Sequence, residues 1–297
     1  MWHKTAFLGN PGSGKTTMGL SYPGVEHHVF GSSEDTTAAN FVGRTDILPP
    51  VRLDWYDTLS DADKAKFTDE KANELDIAKL TKLARAKNIA RYRRYLYQIK
   101  NDLLAKKRPE LQTLFLDNLT PFSQEFEDYV DVVWEKEFIT DKGEYNSIAF
   151  YKRFTSELTD FLRLFMSLPC HTLLSCHVGM SLSEELSATT SFLSKDAAEV
   201  KRQKEWQPML TGRVKYMLAG IPDWVFFLQT VDTPGKPTKH IAKLETGEAL
   251  IGVAKPRIQP FSNPRSLEFG RTTFYTQFND ALTSYLATGQ LVTLGGK

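Results

Sequence analysis

The octet Gly9-Asn10-Pro11-Gly12-Ser13-Gly14-Lys15-Thr16 follows the short apolar run Ala6-Phe7-Leu8 and precedes a stretch of helical character. Residues of these types at this spacing suit phosphate binding. The glycines let the backbone turn so that its N–H groups face an anion, Lys15 brings a point charge to β/γ-phosphates, and Thr16 offers an oxygen to Mg²⁺. The helix expected to start at Thr16 adds its positive end. Asn10, Pro11, Gly12, Ser13, Gly14, Lys15, Thr16 and Thr17 are therefore the expected nucleotide contacts, and a Gly-rich turn without a ligand is the competing reading.

Five further residues fit the same chemistry. The run Leu111-Gln112-Thr113-Leu114-Phe115-Leu116-Asp117 reads as a buried strand closing on an aspartate, which is how a Walker B element looks, with Asp117 holding Mg²⁺ beside Thr16. The short strand around His27-His28-Val29-Phe30 runs into Ser32-Ser33-Glu34-Asp35, so Glu34 either orients water or caps the following helix. The strand His171 to His177 ends in Ser175-Cys176-His177, where His177 either senses a γ-phosphate or is a satisfied structural histidine. Lys255 and Arg257, just beyond a sheet strand, either reach a neighbouring subunit's γ-phosphate, as arginine fingers do, or serve solubility.

The elements that position these residues alternate strand and helix, which points to an α/β fold with a central, mostly parallel sheet. The chain has 297 residues, enough for one large domain with insertions, and no linker-like stretch divides it. Charge is nearly balanced, Lys+Arg 37 against Asp+Glu 36, so any nucleic-acid site must be local. Residues 57–108 are charged and rich in alanine. Ile89, Tyr92, Leu96, Ile99 and Leu103 recur there at spacings of three and four, predicting a long helix or helical hairpin inserted as an arm. Its cations, interleaved with Tyr92, Tyr95 and Tyr97, suit either a phosphodiester backbone or a solvated face.

Farther on, two amphipathic helices are expected over 121–168, with stripes Phe122, Phe126, Tyr129, Val133, Trp134 and Phe154, Leu158, Phe161, Leu162, Phe165. Residues 179–207 read as a long loop with a weakly helical stretch over 195–206. The apolar runs ending at Leu228 and Leu244, joined by Thr233-Pro234-Gly235-Lys236-Pro237, predict a C-terminal β-hairpin, and 274–286 a final amphipathic helix. Cys170 and Cys176 are expected as reduced core thiols. With no leader and no apolar run of membrane-spanning length, the expectation is a cytoplasmic protein without a membrane partner.

The order of these motifs, continued by Pro208-x-Leu210-x-Gly212 and Asp223 before an apolar strand, resembles the phage-encoded RecA-like ATPases of an AAA-type nucleotide-binding group. That group includes the Sak-type single-strand annealing ATPases. The resemblance implies a RecA-like P-loop core, ATP with Mg²⁺, and self-association into a homo-oligomeric ring or filament. It also implies single-stranded DNA bound by loops after the Walker B and sensor strands, a single-strand-binding protein as partner, and the host cytoplasm as location. Carried over by position, Lys15 and Thr16 match the phosphate and Mg²⁺ ligands, Asp117 the Walker B carboxylate, and Glu34 the water-orienting acid. His177 matches the polar sensor, and Lys255 with Arg257 the interfacial basic pair. The basic segment 57–108 departs from a compact core, and 179–207 lacks a basic excess. An ATP-gated adaptor with little turnover and a P-loop nucleotide or small-molecule kinase are the alternative functions.

Overall fold

The computed structural model describes residues 1–30, 41, 43–69, 71–185, 201–211, 214–231, 239–244, 258, 260–264 and 267–294. Five strands form the parallel heart of a sheet: β1 (Lys4–Gly9), β2 (Val25–Val29), β4 (Thr113–Asp117), β5 (His171–Glu185) and β7 (Trp224–Val231). The sheet order is β3-β2-β4-β5-β1-β7-β8-β9, with β3 (Val51–Arg52) extending the parallel set and β8 (Lys239–Lys243) and β9 (Leu267–Glu268) antiparallel at the far edge. The fold is thus mixed α/β with a largely parallel sheet, as a P-loop nucleotide-binding core requires.

Near-continuous apolar strands arise because both sheet faces are covered, and the two-residue side-chain period divides them between two cores. Ala6, Leu8, Leu114, Leu116, Leu174, Cys176, Val225 and Phe227 face one core. Phe7, Phe115, Leu173, Trp224, Phe226 and Leu228 face the other. The first core is closed by α3 (Glu74–Leu104), α4 (Leu119–Val133) and α5 (Ser147–Met166), with Val214 of the short α6 (Val214–Met217) added, and the second by α1 (Lys15–Leu20) and α7 (Phe274–Thr288). Each helix of the first layer opens on an asparagine whose side chain accepts a backbone N–H: Asn73 from Leu75, Asn118 from Thr120 and Asn146 from Ala149. Gly19 lets α1 lie directly on β4, since a Cβ there would stand 2.3 Å from the Phe115 ring.

The expected helices over 121–168 form as α4 and α5. Phe122, Phe126, Phe154, Leu158, Phe161, Leu162 and Phe165 are buried, whereas Val133, at the end of α4, is exposed. The segment expected as an inserted helical arm contains α2 (Asp61–Lys66) and the 31-residue α3. That long helix is the crossover between β3 and β4, and it lies on the core along Ala86, Ile89, Tyr92, Leu96 and Ile99. Several of its cations are fastened inward. Lys82 pairs with Asp131, Arg85 with Asp128 at 3.2 Å, and Arg93 with Glu157 at 3.2 Å. Tyr92 and Tyr95 also point inward: Tyr92 bonds to His28 Nδ1 at 2.7 Å, and Tyr95 donates to Glu26 at 2.9 Å. Among the three tyrosines considered for nucleic-acid stacking, Tyr97 is the exposed one.

The stretch expected to be weakly helical over 195–206 differs. Residues 195–200 lie outside those described, and β6 (Lys201–Pro208) is a strand. It pairs antiparallel with the outer part of β5, from Val178↔Pro208 to Glu185↔Lys201, so a two-stranded ribbon continues β5 beyond the sheet. A partner strand satisfies every second backbone group, which a polar sequence without helical periodicity does not announce. At the other edge β7 and β8 pair antiparallel from Phe227↔Lys243 to Val231↔Lys239, and the connection 232–238 lies outside the described residues. Among the described residues no helix is long and apolar enough to cross a membrane.

Candidate functional site

The carboxyl ends of the parallel strands bring the site together. Gly9 of β1 is in register with His177 of β5, and Val29 of β2 with Asp117 of β4. β5 lies between the P-loop strand and the strand that carries Asp117.

At the end of β1 the chain turns through Ser13 N–H to Asn10 O at 3.2 Å, with Gly12 at φ +78° and Gly14 at φ +94°, and enters α1. Positive φ at these positions is inexpensive only for glycine, and it is what turns successive N–H groups toward one point. Lys15 folds back over the loop, its Nζ donating to Gly9 O at 3.0 Å and Asn10 O at 2.8 Å. Burial lowers its pKa to about 8, against the opposing pull of Asp117. An ammonium held by two carbonyls and short of water is prepared to exchange those partners for phosphate oxygens.

Asp117 is buried at the next position along the edge. Thr16 Oγ1 donates to its Oδ2 at 2.7 Å, His27 Nε2 lies 3.1 Å from the same oxygen, and Ser175 Oγ donates to Oδ1. Burial alone would raise its pKa, but these hydrogen bonds outweigh desolvation and hold the carboxyl below its usual value. Thr16 and Asp117 fit Mg²⁺. Both offer hard oxygen ligands at one point, and Mg²⁺ keeps several waters and takes one or two protein oxygens together with substrate phosphates. Among the described residues no group of three or more His, Cys, Asp or Glu side chains is placed to hold a metal alone.

Among the described residues two buried polar atoms at this edge have no protein partner: Ser13 Oγ beside Gly9, and His177 Nδ1. Buried polar groups are nearly always bonded, so both atoms are open to the polar groups of a ligand. Partial burial and Lys15 both lower the His177 pKa, favouring the neutral ring. Its backbone N–H donates to Thr120 Oγ1 at 3.2 Å, tying the middle of β5, where it leaves the sheet, to the start of α4.

Of the residues singled out from sequence, Lys15, Thr16, Asp117 and His177 meet at one edge together with Asn10, Gly12, Ser13, Gly14 and Thr17, with Pro11 exposed at the loop's tip. Glu34, Lys255 and Arg257 lie outside the described residues. Sequence reasoning missed His27 and gave Ser175 no specific role. His27 stacks on Phe115, with ring centroids 5.1 Å apart and planes at 14°, and so arrives beside Asp117 from the neighbouring strand. The available signal was the ionisable run Glu26-His27-His28 inside a short, fully buried strand of a parallel sheet.

Cys170 and Cys176 are free and buried, and burial pushes both thiols up to about 12. They are inert packing groups at neutral pH.

The arrangement suits phosphoryl transfer, in which a protein contributes mainly positioning and charge stabilisation. No match to a curated protein is found. Residues 3–257 match the family described as AAA domain, from just before β1 to beyond β8, and the chain therefore belongs to the AAA domain family of P-loop ATPases.

Proposed function

We propose that this ATP-binding module is an Mg²⁺-dependent ATPase of RecA-like build. The observation that carries the reading is the contact between Thr16 Oγ1 and Asp117 Oδ2 at 2.7 Å, next to a P-loop lysine held over its own loop. A strand order that sets β5 between the P-loop strand and the Asp117 strand supports the RecA-like assignment. In this proposal Lys15 neutralises the β/γ-phosphates, Thr16 and Asp117 hold the metal, and neutral His177 hydrogen-bonds the γ-phosphate. Mg²⁺, when bound, supplies Lewis-acid stabilisation of phosphate charge. Glu34 orients the attacking water, and Lys255 with Arg257 completes the site of a neighbouring subunit.

The wider reading is a homo-oligomer, ring or filament, that handles single-stranded DNA in phage recombination or replication, with a single-strand-binding protein as partner in the host cytoplasm. Its support is the order of motifs along the chain and the β5–β6 ribbon that continues the candidate sensor strand past the sheet.

The test is ATP hydrolysis with and without Mg²⁺ and single-stranded DNA, run beside a size measurement. Mg²⁺-dependent turnover stimulated by DNA with assembly is the expected result. Phosphate transfer to a nucleotide or metabolite would show a kinase instead, and assembly on ATP without turnover an adaptor.

A further inference from the structure

The P-loop has a second flank, opposite the metal side. From β1 the sheet continues through β5 to β4, where Ser175 and Asp117 lie, and in the other direction through β7 to β8 and β9. On that second side Arg271 lies against the loop. A Cβ placed on Gly14 would be 3.1 Å from Arg271 Cδ and 3.5 Å from His240 Nδ1. His240, on β8, also brings Nδ1 within 3.3 Å of the Ser13 carbonyl.

Arg271 is exposed, yet the backbone that carries it is fixed. Phe269 and Phe274 on either side are both buried in the second core, with ring centroids 4.6 Å apart. Between them, Gly270 N–H donates to Gln277 Oε1 at 2.9 Å and Thr273 N–H to Gly270 O at 3.1 Å. A short turn pinned at both ends thus holds a guanidinium at the mouth of a loop that already contains Lys15. Among the described residues no carboxylate forms an ion pair with Arg271.

A nucleotide with its γ-phosphate toward Asp117 and its phosphates on the P-loop must direct its nucleoside end toward the opposite flank. We propose that Arg271, with His240 beside it, receives that end, the planar guanidinium stacking on the base. Arginine suits this role because its delocalised plane packs on aromatic faces and it is weakly hydrated. The inference rests on the ATP-binding reading and adds to it the residue that distinguishes a nucleoside triphosphate from bare polyphosphate.

Calorimetric titration with ATP and with inorganic tripolyphosphate, at one Mg²⁺ concentration, separates the possibilities for wild type, Arg271→Ala and Arg271→Lys. The expected result is ATP affinity weakened about tenfold in both variants, between the scales of an exposed and a desolvated cation–π contact, with tripolyphosphate affinity unchanged. Unchanged ATP affinity in a variant with wild-type thermal stability overturns the assignment, as does an equal loss for both ligands, which would place Arg271 on the phosphates. A wild-type chain that binds neither ligand overturns the ATP reading and this inference with it.

Discussion

Lys15 and Asp117 carry the account at the scale of single residues, and each makes a separable prediction. Because burial brings the Lys15 pKa down to about 8, the charged ammonium of the ligand-free protein is lost as pH rises through that value. ATP affinity should therefore fall from pH 7 to pH 9. A titration series checks this, with Lys15→Ala expected to abolish binding at every pH. Asp117→Asn keeps the shape but removes the charge, and should lower turnover at saturating ATP by at least about 100-fold, the usual loss when one charge-stabilising group is removed. Both residues were legible in the sequence because their signals are local: a spaced motif in one case, and a strand that closes on a carboxylate in the other. His27 and Ser175 were not, because their roles are set by strand register. His27 sits opposite Phe115, two residues before the Val29↔Asp117 end of the β2–β4 pair and therefore on the same sheet face, and no short window of sequence contains that relation.

Among the elements, α1 depends on how closely it approaches β4. Gly19→Ala would drive a methyl into the Phe115 ring, and should destabilise the fold by about 1–3 kcal/mol through overpacking. Urea unfolding measures this, and an unchanged midpoint would mean that α1 does not rest on Phe115. Helices α4, α5 and α7 were legible because each sets aromatic residues at three- and four-residue spacing. For α3 the period identified the buried stripe, but not where the rest of the helix goes. Its cations look like a nucleic-acid face when read alone, and several are engaged with Asp128, Asp131 and Glu157, residues that stand some 40 to 70 positions away in the chain. The β5–β6 ribbon was hidden for a related reason: its order comes from pairing between strands, and the polar sequence of β6 has no apolar alternation to announce a strand.

At the scale of the whole molecule, the end of the sheet opposite the site sets the acid response. His3 and His171 are buried there, burial lowers their pKa values to about 4 and about 3, and His171 Nδ1 accepts the His3 backbone N–H at 2.9 Å. Since both folded values lie below the unfolded one, their contribution to stability is complete above about pH 6.5 and declines as pH falls toward 4 and below. Glu26 behaves similarly at lower pH. Burial alone would raise it, but His28, Arg108 and Tyr95 bring it to about 2, so its contribution is lost below about pH 4.5. Unfolding free energy should thus fall in two stages on acidification, and His3→Phe should flatten the first, by up to roughly 3 kcal/mol at pH 4. A single decline beginning only below pH 4.5 would show that the histidines do not contribute. The central claim is that Lys15, Thr16 and Asp117 form one Mg²⁺-nucleotide site, and Mg²⁺-dependent ATP turnover in wild type, Lys15→Ala and Asp117→Asn tests it most directly. Wild-type turnover should require Mg²⁺, be abolished in Lys15→Ala and fall at least about 100-fold in Asp117→Asn; turnover near the wild-type rate in either variant, or turnover that ignores Mg²⁺, would contradict a shared site.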